Sequence, residues 1–348
     1  MLQTRVLVVD DAPTGRSLLA DAIRMSPDMQ VVGVARDGAT ARDTIRTSGA
    51  EVIVLAADVA RPGDVELLEY LVCLRPMPLV MVSSHADAGS DAAMRAVEIG
   101  AAEFIGKFGG GTPRQLEAYA EELVDKIRAA KSTFARRARQ ETTVPSAPPA
   151  VFPSMAGAGK IIFVGASTGG TEALKVFLMG MPENCPPILV VQHMPESFTA
   201  SFARRLDSLC APHILESQGN EKVSPGTVYI APGHSHLRIR RLATGYGTEL
   251  LQTLAVNRHR PSVDVLFESA AELVGRQAVG VILTGMGKDG AQGLLQMRRA
   301  GARTYGQDAS SCVVYGMPRE AFAIGAVGEQ VHLDEMARRV LGDLGKAL

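Results

Sequence analysis

"IIFVGASTGGTEAL", residues 161–174, sets four apolar residues against a knot of glycines around one serine, then opens a helical pattern. Strand, glycine loop and helix form the repeating unit of an α/β fold, and the loop admits two chemistries. Backbone N–H groups at a helix start can cradle a phosphate. The same turn can instead lift a hydroxyl clear of the backbone as a nucleophile, and Gly165-Ala166-Ser167-Thr168-Gly169 spells G-x-S-x-G. A Walker loop needs Gly-Lys-Ser/Thr, and a dinucleotide fingerprint needs G-x-G-x-x-G with an acid about 20 residues on. "GASTGG" has neither spacing. Ser167 as nucleophile is the reading that stands.

Outward from this loop the α/β alternation continues. "KIIFVGA" (160–166), "PPILVVQH" (186–193), "GTVYIAP" (226–232) and "AVGVILTG" (278–285) read as strands. "TEALKVFLM" (171–179), "SVDVLFESAAELV" (262–274) and "AQGLLQMRRA" (291–300) read as helices. Residues 237–256 predict an inserted hairpin turning at Gly245-Tyr246-Gly247. A hydroxyl needs a base to become a nucleophile, and the base needs an orienting carboxylate. His193 follows the strand "PILVV", and Asp289 lies in "ILTGMGKDGAQG", another strand running into a glycine loop. In a parallel sheet these emerge on the same rim as Ser167. Backbone N–H groups near Thr168, Gly169 and Met286 are candidate oxyanion donors. The chain order Ser…His…Asp departs from the Ser…Asp…His of the α/β-hydrolases and argues against an ordinary lipase or esterase. These residues alone leave the substrate open.

The first part of the chain is a second α/β pattern. "RVLVVD" (5–10), "QVVGVA" (30–35), "EVIVLA" (51–56), "PLVMVS" (78–83) and "AEFIGK" (102–107) predict strands. Helices are expected at Arg16–Met25, Ala39–Ser48, Val65–Leu74 and Asp91–Ile99, with a fifth from Pro113. Five βα units of this kind suit a flavodoxin-like, doubly wound parallel sheet. Residues 129–159, a basic helical tail giving way to Pro, Ser, Ala and Gly, have linker composition. The expected organisation is a domain over 1–128, a linker over 129–159 and a larger doubly wound, Rossmann-like domain over 160–348.

Composition bounds the function. The chain has 348 residues, 46% of them apolar, and a net charge of −1, which gives no global electrostatic case for nucleic acid or an anionic membrane. No apolar run approaches the ~20 residues of a membrane span, and "MLQTRVLVVDD" is not a signal peptide. Cys73, Cys185, Cys210 and Cys312 are scattered, as expected of reduced thiols in a cytoplasmic protein. His234-Ser235-His236 is read as a surface turn rather than a metal site, and Cys312 as packing. Arg204-Arg205 and Arg258-His259-Arg260 suit either acidic partner helices or solvent.

"VGASTGG", "QHMP", "YIAPG", "HRPSVDVLFESAA", "LTGMGKDGA" and "SSCVVYGMPREA" resemble, in order and spacing, the chemotaxis protein-glutamate methylesterases, the CheB family. The first domain resembles the receiver those enzymes carry. The resemblance implies cytoplasmic hydrolysis of γ-glutamyl methyl esters on chemoreceptor helices, and in many members deamidation of receptor glutamines. It implies Ser167 as nucleophile, His193 as base, Asp289 as its orienter and no catalytic metal. It also implies partnership with methyl-accepting receptors and a chemotaxis histidine kinase, and a monomer.

The receiver departs from its pattern, above all at the acceptor position. Asp10 and Asp11 supply the acid pair for a weak Mg²⁺ site, and Ser83 and Lys107 supply the hydroxyl and lysine. The phosphoacceptor position after "EVIVL" is Ala56, which cannot form an acyl phosphate. "ADVARPGD" (57–64) replaces the usual Met-Pro and Asp-Gly, Phe108 stands where proline follows the lysine, and Asp58 reads as a loop acid rather than a substitute acceptor. A pseudo-receiver is expected. Two alternatives compete with the receptor hydrolase: a regulatory module that binds partners with little esterase activity, and an ester hydrolase for small molecules.

Overall fold

Short β-branched runs with no polar interruption can be buried on both faces only in a parallel sheet flanked by helices, and both halves of the chain do this. The computed structural model describes residues 3–56, 77–83, 103–140 and 159–344. Two compact units divide the chain, Met1–Val144 and Pro145–Leu348.

In the first unit the strands are β1 (Thr4–Asp10), β2 (Met29–Ala35), β3 (Val52–Ala56), β4 (Leu79–Ser83) and β5 (Glu103–Gly106). Their order, β2-β1-β3-β4-β5, is parallel throughout and is the flavodoxin-like order. Helices α1 (Pro13–Arg24), α2 (Gly38–Ser48) and α3 (Pro113–Gln140) match three of the expected five. Those expected at Val65–Leu74 and Asp91–Ile99 lie outside the described residues, as do Asp58 and Cys73. Asp37 caps α2 by accepting from the Thr40 N–H at 2.8 Å. Val6, Val8, Val54, Ile23, Leu123 and Ile127 fill the core between β1, β3, α1 and α3.

The basic helical tail expected at the start of residues 129–159 is the end of α3. Helix α3 runs on to Gln140, so residues 129–140 are helical. "AAKSTFARRARQ" is rich in strong helix formers and meets no proline before Pro145, so nothing in it stops a helix.

The second unit has β6 (Ile161–Ala166), β7 (Ile188–Gln192), β8 (His213–Glu216), β9 (Thr227–Ile230), the pair β10 (His236–Arg241) and β11 (Tyr246–Leu251), then β12 (Ala278–Ile282), β13 (Arg303–Gln307) and β14 (Glu329–Val331). Seven form one parallel sheet in the order β14-β13-β12-β6-β7-β9-β8. Its helices are α4 (Gly170–Met179), α5 (Glu196–Leu209), α6 (Val263–Leu273), α7 (Ala291–Arg299), α8 (Met317–Ala323) and α9 (Leu333–Leu344). From β6 the chain builds outward through β7 and then returns to the other side at β12. That reversal is the switch point, where α/β sheets open a crevice at the strand carboxyl ends.

The inserted hairpin forms, but its turn is Leu242–Gly245. Tyr246 and Gly247 belong to β11, opposite Arg241 and Arg240. Tyr246 is held in the strand because its hydroxyl donates to the Leu273 carbonyl at 3.0 Å while Arg241 lies over its ring.

Candidate active site

Three neighbouring strands, β12, β6 and β7, bring the three expected residues to one edge. Ser167 follows β6, a strand with no exposed residue. Its N–H donates to the Thr284 carbonyl at 3.0 Å. Its own carbonyl accepts from the Gly170 N–H at 2.7 Å and from the Gln192 Nε2 at 2.9 Å. Two glycines make this turn possible. Gly169 sits at φ 77°, a conformation that favours glycine. At Gly285, across from Ser167, a Cβ would lie 2.8 Å from the Ser167 Cβ.

His193 follows β7, with its N–H on the Ala166 carbonyl at 3.0 Å. Its ring is buried, with Nε2 2.8 Å from Asp289 Oδ2. Nδ1 is buried and has no hydrogen-bond partner, so it is the nitrogen left to take a proton from a hydroxyl. Gln192 ties the two strand ends together, its amide donating to the carbonyls of both Ser167 and His193 (2.9 and 3.0 Å).

Asp289 is buried at the N-terminus of α6. It accepts from the Val263 N–H at 2.7 Å, the Ser262 hydroxyl at 2.7 Å, the Asp264 N–H at 3.3 Å and the Asn257 amide at 2.7 Å, besides His193. Burial works to raise its pKa. The hydrogen bond and charge of His193, with the bonds from Asn257 and Ser262, outweigh burial and leave the carboxyl well below the usual range. A helix N-terminus adds favourable dipoles. Behind it Asp264 is pushed upward by burial and by the Asp289 charge, against bonds from the Gly293 N–H and Asn257.

Of the oxyanion candidates, the N–H groups of Thr168 and Met286 donate to no partner among the described residues. Gly169 caps α4, its carbonyl accepting from the Ala173 N–H. Asn257, Ser262, Gln192 and Thr284 were not singled out in the sequence. Ser262 alone carried a local signal, a serine at the start of a helical pattern.

His234-Ser235-His236 is not a surface turn throughout. His236 is fully buried, with Nε2 on the Leu254 carbonyl at 3.0 Å and Nδ1 accepting from the Ser262 N–H at 3.1 Å. Both ring nitrogens are thus committed, Nδ1 to the start of α6 and Nε2 to the loop that precedes it. His234 lies 3.4 Å from Glu196. Cys312 is half-buried, 3.8 Å from the Gln307 carbonyl, and Arg204, Arg258 and Arg260 are exposed.

In the first unit Asp10 and Ala56 face each other in register on β1 and β3. Ser83 ends β4 and Lys107 follows β5 on the same edge. Burial raises the Asp10 pKa, while the Ala12 N–H and the Lys107 charge oppose it. Its Oδ2 has no partner.

A receiver-like unit followed by an α/β unit with serine, histidine and aspartate on one rim defines a class: a hydrolase joined to a signalling domain. Comparison with known proteins agrees at both ends. The CheB methylesterase family model matches residues 162–340, and the response regulator receiver domain model matches residues 6–119. The chain is 64% identical over 344 residues to protein-glutamate methylesterase/protein-glutamine glutaminase 1 of Dechloromonas aromatica, covering 98% of each chain. It is 49% identical over 348 residues to the protein-glutamate methylesterase/protein-glutamine glutaminase of Nitrosomonas europaea, covering 99% of this chain and 97% of that one. The Thermotoga maritima CheB methylesterase catalytic domain superposes with a TM-score of 0.52 at 38% identity, covering 53% of this chain and 98% of that one. The chain belongs to the CheB methylesterase family, hydrolases of chemotaxis that carry a receiver domain. No helix among the described residues is long and apolar enough to cross a membrane.

Proposed function

We propose that this protein hydrolyses γ-glutamyl methyl esters on the cytoplasmic helices of chemoreceptors through Ser167, His193 and Asp289. The observation that carries this reading is the 2.8 Å bond between His193 Nε2 and Asp289, which leaves a buried Nδ1 open on the rim where Ser167 emerges. Ser167 Oγ attacks the ester carbonyl as its proton passes to His193 Nδ1. The carbonyl oxygen becomes an oxyanion held by the N–H groups of Thr168 and Met286, with Gly169 a third candidate, and each such donor is typically worth about 10²–10³ in rate. Collapse expels methanol, which takes the proton back from His193. Water then gives its proton to the same nitrogen and attacks the acyl carbon. Collapse breaks the bond to Ser167 Oγ, which takes the proton back from His193, and the glutamate side chain leaves as its carboxylic acid and ionises in water. A glutamine side chain follows the same path with ammonia as leaving group, as the names of the relatives suggest. Asp289 keeps its charge throughout and balances the imidazolium.

The receiver reading is that Ala56 removes phosphorylation at the usual position. The buried, unpartnered Oδ2 of Asp10 is an oxygen a divalent cation accepts, with Asp11 adjoining. Mg²⁺ there would be held by these two carboxylates and would offset their charge. The absent acceptor also favours a second reading, a module working mainly through partners such as the receptors or a chemotaxis kinase. Methanol release from methylated receptor membranes separates the two. The full-length protein is expected to release methanol and Ser167→Ala to release none. Silence from both, on membranes a working methylesterase can demethylate, would favour the partner-binding module.

A further inference from the structure

Between β11 and α6 two non-glycine residues lie in the left-handed region, Asn257 at φ 52° and Arg258 at φ 70°. Val256 and His259 close them into a two-residue turn by reciprocal backbone hydrogen bonds, 3.0 Å from the Val256 N–H and 2.9 Å from the His259 N–H. Positive φ at both central positions is the type I′ geometry, which ordinarily selects Asn-Gly. Arginine in the second position is unfavourable, and such a conformation persists where surrounding contacts hold it.

Those contacts lead into the active site. The Asn257 amide bridges Asp289 Oδ1 and Asp264 Oδ2, each at 2.7 Å. The His259 ring lies flat on the His193 ring, with centroids 3.7 Å apart and planes 11° from parallel. A single turn therefore touches both the acid and the base of the machinery.

We propose that His259 is a positioning residue for the base: its ring is a plate that fixes the plane of His193. The physical need is specific. His193 is anchored through one ring nitrogen only, since Nδ1 has no partner. A ring held at one nitrogen can rock about that bond, and rocking swings Nδ1 away from the hydroxyl it must deprotonate. A flat group at van der Waals distance blocks that motion without competing for Nδ1. The left-handed turn then serves to present His259 at the necessary height while Asn257 secures Asp289.

This proposal rests on the reading of Ser167, His193 and Asp289 as the hydrolytic machinery, so the experiment tests both. Methanol release by the full-length protein would be followed on methylated receptor membranes for the wild type, Ser167→Ala, His259→Phe and His259→Leu, with a thermal melt of each. His259→Phe keeps a flat ring and is expected to hold kcat within about threefold of wild type. His259→Leu fills the space without a plate. It is expected to lose about 10- to 100-fold in kcat, the scale of a misplaced reacting group, with KM and melting temperature unchanged. Full kcat in His259→Leu, or an equal fall in His259→Phe, would overturn the plate. If His259→Leu shows no folding transition, His259→Gln takes its place under the same criteria. An active Ser167→Ala would instead overturn the underlying triad, whatever the His259 variants do.

Discussion

Asp289 shows how far a single carboxylate can be committed by its surroundings. Its oxygens are taken up by His193, Asn257, Ser262 and the start of α6, which holds it ionised despite burial. Its pKa is lower in the folded protein than the ~3.9 of an unfolded chain. The carboxylate therefore contributes stability above about pH 4, and this is lost as pH falls toward the folded value. Between about pH 5 and 3, Asp289→Asn is expected to lose less stability than wild type. Denaturant melts across that range check it, and parallel curves would refute it. Gly285 is a second single-residue constraint. A Cβ there would meet Met317 Sδ at 2.3 Å and the Ser167 Cβ at 2.8 Å. Gly285→Ala is expected to cost about 1–3 kcal/mol and on the order of 10²-fold in kcat, read from a melt and methanol release together.

At the scale of elements, the helix starts carry the site and the helix ends carry stability. Helix α4 begins at Gly170, where a Cβ would fall 2.1 Å from Gln192 Oε1. Gly170→Ala is therefore expected to displace the amide that ties the carbonyls of Ser167 and His193. Activity should fall at least tenfold, on the order of a small misalignment, and unchanged kcat would show the tie to be dispensable. Gly342 in α9 is the opposite case, exposed and with open space where a Cβ would go. Gly342→Ala should add about 0.5–1 kcal/mol with activity unchanged, measured by denaturant unfolding. Elements also separate what was legible from what was not. Strands such as "IIFVGA" and "ILVVQ" were plain because each opens on four consecutive apolar residues. Strand β13, "RTYGQ", was not read because Thr304 and Gln307 are buried on hydrogen bonds and Gly306 yields room to Val327. Burial achieved with polar residues leaves no periodic signal.

For the molecule as a whole, the pairing of Asp10 with Ala56 is a standing experiment in what a receiver needs. Ala56→Asp would place a second carboxylate beside one that burial already disfavours. Without Mg²⁺ its melting temperature should fall below wild type, and Mg²⁺ should restore it. Incubated with acetyl phosphate and Mg²⁺, the variant is expected to gain one phosphate by intact mass and the wild type none. A phosphate on the wild type would end the pseudo-receiver reading. The sequence by itself determined two α/β units, the parallel sheets and the rim bearing Ser167, His193 and Asp289, because hydrophobic runs and glycine loops are local signals and a parallel sheet puts every strand end on one edge. Only the tertiary structure decided which nitrogen of His193 faces the acid, that Asn257 and His259 belong to the site, and that His236 is buried in support of it. Those contacts join residues tens of positions apart through side-chain orientation, and orientation is set by packing, which no local pattern encodes.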